Sequence, residues 1–176
     1  MKWDLPEEVV GILDLAEKAP LAPREKRGAA SVLDRKEIEA ILPHRAPFLF
    51  VDCVSLLDLQ GGIIATRYAL SQASAVLAGH FPNHPVWPGT LQVEAIAQAG
   101  GLLYLKQAGP PAVQRVTLTR ILTARFIRPV LPGTDLEIIA RVLDDGLFFT
   151  AVGQCLQDEL VCSVAAMTSL KGDANK

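Results

Sequence analysis

Apolar and polar positions along the chain divide it into a helix-rich first third and a strand-rich last third. Leu5, Val9, Ile12, Leu13 and Ala16 recur at helical spacing, Asp4 and Glu7 have capping-box spacing, and Pro6 falls in the first turn, so residues 4 to 17 are predicted as a helix. APLAPREKRGAA, residues 19 to 30, has prolines, glycine and mixed charge but no apolar period, and reads as a linker. A second capping box, Asp34 to Glu37, opens a short helix through KEIEAIL that Pro43 ends. PFLFVDCVSLLDLQGGIIATRYAL then reads as two strands with a turn at Gln60 to Gly62.

Residues 89 to 105, GTLQVEAIAQAGGLLYL, are predicted as a helix that is apolar almost all round, hence enclosed by other elements. Beyond it the period changes. VQRVTLTRILTARFIRPV, DLEIIARVLDD, LFFTAVGQCLQ and LVCSVAAMTSL read as strands, separated by turn signals at Pro132-Gly133, Asp144-Asp145-Gly146 and Gln157-Asp158-Glu159. One enclosed helix among successive antiparallel strands predicts an α+β architecture, with a curved sheet wrapped around the helix. The division expected is a helical extension and linker over residues 1–30 and a main domain over 31–176.

Composition excludes more than it assigns. Half the 176 residues are apolar, the net charge is -2 and the pI is near 5.9, so no overall attraction to nucleic acid or to an anionic membrane is expected. Acidic residues interrupt the first apolar run, and no stretch reaches the roughly 18 apolar residues of a membrane span, so the expected location is the cytoplasm. Cys53, Cys155 and Cys162 have no CxxC spacing and are expected as reduced, buried thiols.

The chemistry concentrates in GHFPNHPVWPGTLQVEAIAQ, residues 79 to 98. His80 and His84 are four apart, but Pro82 and Pro85 argue against the helix on which such a pair would converge on a metal; no metal is expected. There is no GxSxG elbow, and no basic group adjoins the cysteines to activate a thiol. Pro88 is placed at the first helical position, where Gly89 and its neighbours present free backbone N–H groups at the positive end of the helix dipole. Glu94 lies one to two turns further on, with Gln98 at i+4, so a polar stripe crosses an apolar helix. A carboxyl there is a candidate proton donor, and His80 on the preceding loop a candidate base.

This run, together with LPHRAPFLFVD at residues 42 to 52 and FIRPVLPGTDL at 126 to 136, resembles the 3-hydroxyacyl-[acyl carrier protein] dehydratases of the FabZ type from about Ile38 to Leu170. The resemblance implies a hotdog fold and a homodimer, often within a trimer of dimers, with active sites at the dimer interface that take His from one chain and Glu from the other. It implies His80 and Glu94 as catalytic residues: His80 removes the C2 proton and Glu94, directly or through water, protonates the departing 3-hydroxyl. Gly89 would polarise the thioester carbonyl, Gln98 would hold Glu94, and Trp87 and Phe81 would belong to the substrate-binding surface. It implies no cofactor beyond the phosphopantetheine arm of an acyl carrier protein, whose acidic surface would meet Arg120, Arg125 or Arg128.

Trp87 stands where the family commonly has methionine and Thr90 where it commonly has an aliphatic residue, which points to an altered acyl tunnel. Asn83-His84 is also atypical, and His84 is read as a loop residue. The alternatives are a hotdog thioesterase and a non-catalytic acyl-carrier binding subunit; the His80/Glu94 pair argues against the second.

Overall fold

A computed structural model describes residues 5–28, 30–70, 75–109 and 116–172. In chain order the elements are α1 (Glu7–Ala16), α2 (Arg35–Ile41), β1 (Cys53–Asp58), β2 (Ile63–Tyr68), α3 (Ala75–Gly79), α4 (Gly89–Ala108), β3 (Val116–Phe126), β4 (Leu136–Asp145), β5 (Phe148–Gln157) and β6 (Leu160–Lys171). The strands form one antiparallel sheet in the order β1-β2-β4-β5-β6-β3.

Turn chemistry builds the meander from β4 to β6. Gly146 takes a φ of 63° after Asp144, whose Oδ1 accepts its N–H at 3.0 Å. Asp158 and Glu159, at φ 50° and 65°, form the two-residue loop between paired Gln157 and Leu160, the left-handed geometry that matches strand twist. The Asp34–Glu37 capping box forms in both directions at α2. For α1, Asp4 lies outside the described residues, and Pro6 takes the N-cap position instead of a place inside the first turn.

The sheet curls around α4, whose Ala95, Ile96, Ala99, Leu102 and Leu103 are fully buried against Leu136, Ile138, Ala140, Phe149 and Ala151. Close approach is enforced at Gly153: a Cβ there would lie 2.7 Å from the Ile139 carbonyl oxygen and 2.7 Å from Ile96. The helix runs to Ala108, three residues beyond its expected end, and in the added stretch Gln107 Nε2 donates to the Leu59 carbonyl at 2.9 Å.

The outer face of the sheet is covered as well. Val9, Ile12, Leu13 and Ala16 of α1 pack with Ala22 on Ile139, Val152, Leu156, Val161, Val164 and Ala166. Residues 19–28, expected as a linker, are fastened to that face. Gln154, fully buried on β5, donates to the carbonyls of Ala16 and Ala19 at 2.8 and 3.2 Å and accepts Leu21 N–H at 2.5 Å. Arg27, with its side chain 1% exposed, pairs with both Glu137 and Glu159. Burial holds the Glu137 carboxyl above its usual range, with Arg27 opposing that shift.

Among the described residues, one sheet edge is closed and the other open. At β1, Leu33 bridges Val54, and Val32 N–H bonds the Val54 carbonyl at 2.7 Å. At β3, Leu118, Ile121 and Phe126 are 43%, 52% and 54% exposed. Among the described residues no helix is long and apolar enough to cross a membrane.

Candidate active site

The loop before α4 fixes one imidazole. His80 N–H bonds the Val76 carbonyl at 3.0 Å, a tight turn joins Phe81 and His84, and Val86 N–H returns to the His80 carbonyl at 2.8 Å. His80 Nδ1 lies 2.8 Å from the Val86 carbonyl oxygen. A carbonyl only accepts, so Nδ1 carries the hydrogen and the neutral ring keeps its lone pair at Nε2. In that tautomer Nε2 is the ring's acceptor atom.

Trp87 N–H donates to Val130 O at 2.8 Å and brings the FIRPV segment beside the start of α4. Pro88 occupies the N-cap, not the first helical position, and the N–H groups of Leu91 and Gln92 bond its carbonyl at 3.1 and 3.2 Å. Gly89 and Thr90 precede every intrahelical acceptor and keep free amides at the positive helix end. A Cβ on Gly89 would lie 2.6 Å from the Phe126 ring, so glycine admits that ring over the helix start. His80, Val86, Trp87, Gly89, Phe126 and Arg128 line a cavity of about 500 Å³.

The carboxylate faces a second cavity of about 220 Å³, shared with Val93, Ala97, Ile121, Ala124 and Phe126. Glu94 is 23% exposed in its side chain. Gln98 Nε2 donates to Glu94 Oε1 at 2.8 Å and to the Phe48 carbonyl at 2.9 Å, while Gln98 Oε1 accepts Phe50 N–H at 2.8 Å. One glutamine thus locks the LPHRAPFLF loop to α4. His44 Nε2 stands 3.6 Å from the same Glu94 Oε1.

The structure brings Glu94 and Gln98 together by a hydrogen bond, and His80 and Gly89 together on one cavity, but Glu94 lines a different cavity from His80. Phe81 is 54% exposed and stacks on the His80 ring at 4.1 Å. Trp87 is 1% exposed, its ring packed edge-on to Phe50 and tilted against Tyr68. Arg125 pairs with Glu17 at 2.5 Å and Arg128 donates to the Val161 carbonyl at 2.7 Å, so both are engaged by the chain itself. His44, fifty positions before Glu94 in the chain, is a neighbour of Glu94 that the sequence analysis does not single out.

Among the described residues no three His, Cys, Asp or Glu side chains gather as a metal site. All three cysteines are free. Burial pushes the Cys155 thiol up to about 12 and raises Cys162 less far. Cys53 is only partly buried, contrary to expectation.

A single antiparallel sheet wrapped around a long central helix, with a histidine at the helix entrance and a carboxylate inside its first turns, defines a hotdog-fold protein. The chain belongs to the FabA-like domain family, which matches residues 42–162. It is 38% identical over 143 residues to the 3-hydroxyacyl-[acyl-carrier-protein] dehydratase FabZ of Nitratidesulfovibrio vulgaris, covering 80% of this chain and 92% of that one. The FabZ of Campylobacter hominis is 36% identical over 143 residues, covering 79% and 97%. Among solved structures, the dehydratase heterocomplex ApeI:P from Xenorhabdus doucetiae superposes with a TM-score of 0.58 at 20% identity, over 78% of this chain and 91% of that chain. Cj0977 of Campylobacter jejuni gives 0.58 at 14%, over 82% and 94%.

Proposed function

We propose that this chain dehydrates a 3-hydroxyacyl thioester, carried on an acyl carrier protein, to the trans-2-enoyl thioester. The observation that carries the reading is the His80 Nδ1 contact with the Val86 carbonyl, which leaves a lone pair on Nε2 beside free amides at the start of α4. The relatives' activity and the family membership support the same chemistry.

In this mechanism the thioester carbonyl lies against the Gly89 amide, which stabilises the negative charge developing on oxygen as the C2 proton leaves. His80 Nε2 takes that proton, and the C2–H electron pair forms the C2–C3 double bond. The C3–O bond breaks, and Glu94 gives its proton to the departing oxygen, releasing water. Nothing is oxidised or reduced, so the step calls for no redox cofactor.

The catalytic unit is a homodimer joined through β3. That edge strand presents Leu118, Ile121 and Phe126 beside the Glu94 cavity, and a second copy pairing antiparallel with it would cover them. His80 of one protomer then faces Glu94 of its partner across the joined cavities.

The test is turnover of a 3-hydroxyacyl carrier-protein thioester followed by mass spectrometry. Loss of one water in the native protein, abolished by His80→Ala and by Glu94→Gln, is the expected result. Release of free thiol and acid instead of enoyl thioester would mark a thioesterase. Retained binding without turnover would overturn the enzymatic reading.

A further inference from the structure

Glu94 is approached by two nitrogens, and both approach the same oxygen. Gln98 Nε2 donates to Oε1 at 2.8 Å, and His44 Nε2 stands 3.6 Å from it. Neither contact is to Oε2, the oxygen that in the proposed mechanism meets the substrate hydroxyl.

The loop holds His44 in place without gripping its ring. Arg45 Nη1 donates to the carbonyls of Leu42 and His44 at 2.9 and 2.7 Å, Phe48 N–H closes a turn on the Arg45 carbonyl at 2.8 Å, and Gln98 ties Phe48 and Phe50 to α4. His44 Nδ1 is buried with no hydrogen-bond partner. The polar neighbour toward which the ring turns is therefore Glu94. An Nε2 to oxygen distance of 3.6 Å is too long for a hydrogen bond, yet catalytic contacts commonly tighten when substrate displaces water.

Resting on the dehydratase reading, we propose that His44 is a positioning residue for Glu94. Its Nε2–H closes onto Oε1 in the substrate complex and, with Gln98, supports the carboxylate that Glu94 becomes as its Oε2 proton passes to the leaving hydroxyl. The atoms balance without a proton on His44 moving, because the ring donates a hydrogen bond and keeps its hydrogen. A donor that strengthens as charge appears favours the transition state over the ground state, so its loss falls on kcat more than on KM.

The experiment compares native protein with His44→Phe and His44→Gln in steady-state dehydration. Phenylalanine keeps the ring's bulk without a donor, and glutamine places an amide N–H near the position of Nε2. His44→Phe is expected to lose roughly 10- to 100-fold in kcat, the scale of one hydrogen bond to a charged group, with KM changed less than about twofold. His44→Gln is expected to restore most of that loss. Equal impairment of the two variants, a kcat for His44→Phe within about twofold of native, or a loss confined to KM would overturn the assignment.

A second measurement needs no turnover and separates this inference from the dehydratase reading. The ¹⁵N spectrum of the His44 ring, recorded with a 2,2-difluoro-3-hydroxyacyl pantetheine analogue bound, which has no C2 proton to lose, is expected to show the Nε2–H tautomer, with its Nε2 signal shifted in Glu94→Leu. A spectrum indifferent to Glu94 would sink the His44 proposal even if the enzyme dehydrates. Native protein that forms no enoyl thioester would sink the dehydratase reading, and the spectrum would then decide the His44–Glu94 contact by itself.

Discussion

At the scale of single residues, space decides more than polarity. Gly153→Ala drives a methyl against the Ile139 carbonyl oxygen, which belongs to the neighbouring strand and cannot move without breaking the β4–β5 ladder. Its expected cost is about 3 kcal/mol, read as a lowered urea midpoint. At Gly89 the obstacle is the half-exposed Phe126 ring, which can swing away. Gly89→Ala is therefore expected to leave the midpoint nearly unchanged while kcat/KM falls between about 10- and 100-fold, because the ring leaves the cavity wall. Cys155 supplies a pH signature. Its folded-state pKa of about 12 lies above the ordinary 9.0, so the folded chain keeps a proton that the unfolded chain sheds as pH rises through that window. Stability is expected to fall from about pH 9 upward, and Cys155→Ala should flatten that slope in urea titrations at pH 8 and pH 10. The chemistry of such residues was partly legible in the sequence. Gln98 meets Glu94 because i+4 on a helix is a fixed geometry, and Gly89 stands at the helix start because it follows the proline that caps α4. His44 escaped because its approach to Glu94 depends on a loop folding back across the helix, which no local period encodes.

At the scale of elements, α4 and the strand meander could be read from composition and turn signals, since both are local. The destination of α1 could not. Its apolar stripe was plain, but an amphipathic helix carries no mark of the surface it covers. In retrospect the signal lies on the strands: β5 and β6 are apolar on successive residues, which fits a sheet buried on both faces, by α4 within and α1 without. Gln154, polar and fully buried in that run, is the anchor for the end of α1. Arg27 is the second anchor, and it yields a test. Arg27→Met leaves Glu137 beside Glu159 without its cation, while burial already disfavours the Glu137 carboxylate. A raised folded pKa means that stability declines as pH rises above about 4.5 toward the folded value, and removing Arg27 widens that window upward. The variant is expected to lose about 2 kcal/mol at pH 8 and distinctly less at pH 5, measured by urea unfolding at both. An equal loss at the two pH values would assign Arg27 to packing instead.

At the scale of the whole molecule, the question is whether one chain can hold a complete site. His80 and Glu94 line different cavities, and Thr90 and Phe126 stand between them as wall to both. The β3 edge lies beside the carboxylate, and in the proposed dimer the second copy brings its own histidine there. This arrangement has an arithmetic consequence that a self-contained site lacks. In a dimer of one His80→Ala chain and one Glu94→Gln chain, one site carries both lesions and the other carries neither. If the two chains associate at random, half the dimers are mixed and each mixed dimer has one intact site in two, so co-refolding equal amounts of the dead variants is expected to recover about a quarter of native activity. Sites built within single chains would give none, because every chain in the mixture is defective. Ile121→Lys supplies the control at the edge itself: a charge on the strand proposed to join the copies opposes pairing. It is expected to yield a folded monomer by light scattering, inactive alone and unable to complement either variant. Activity in that monomer would return the whole site to one chain.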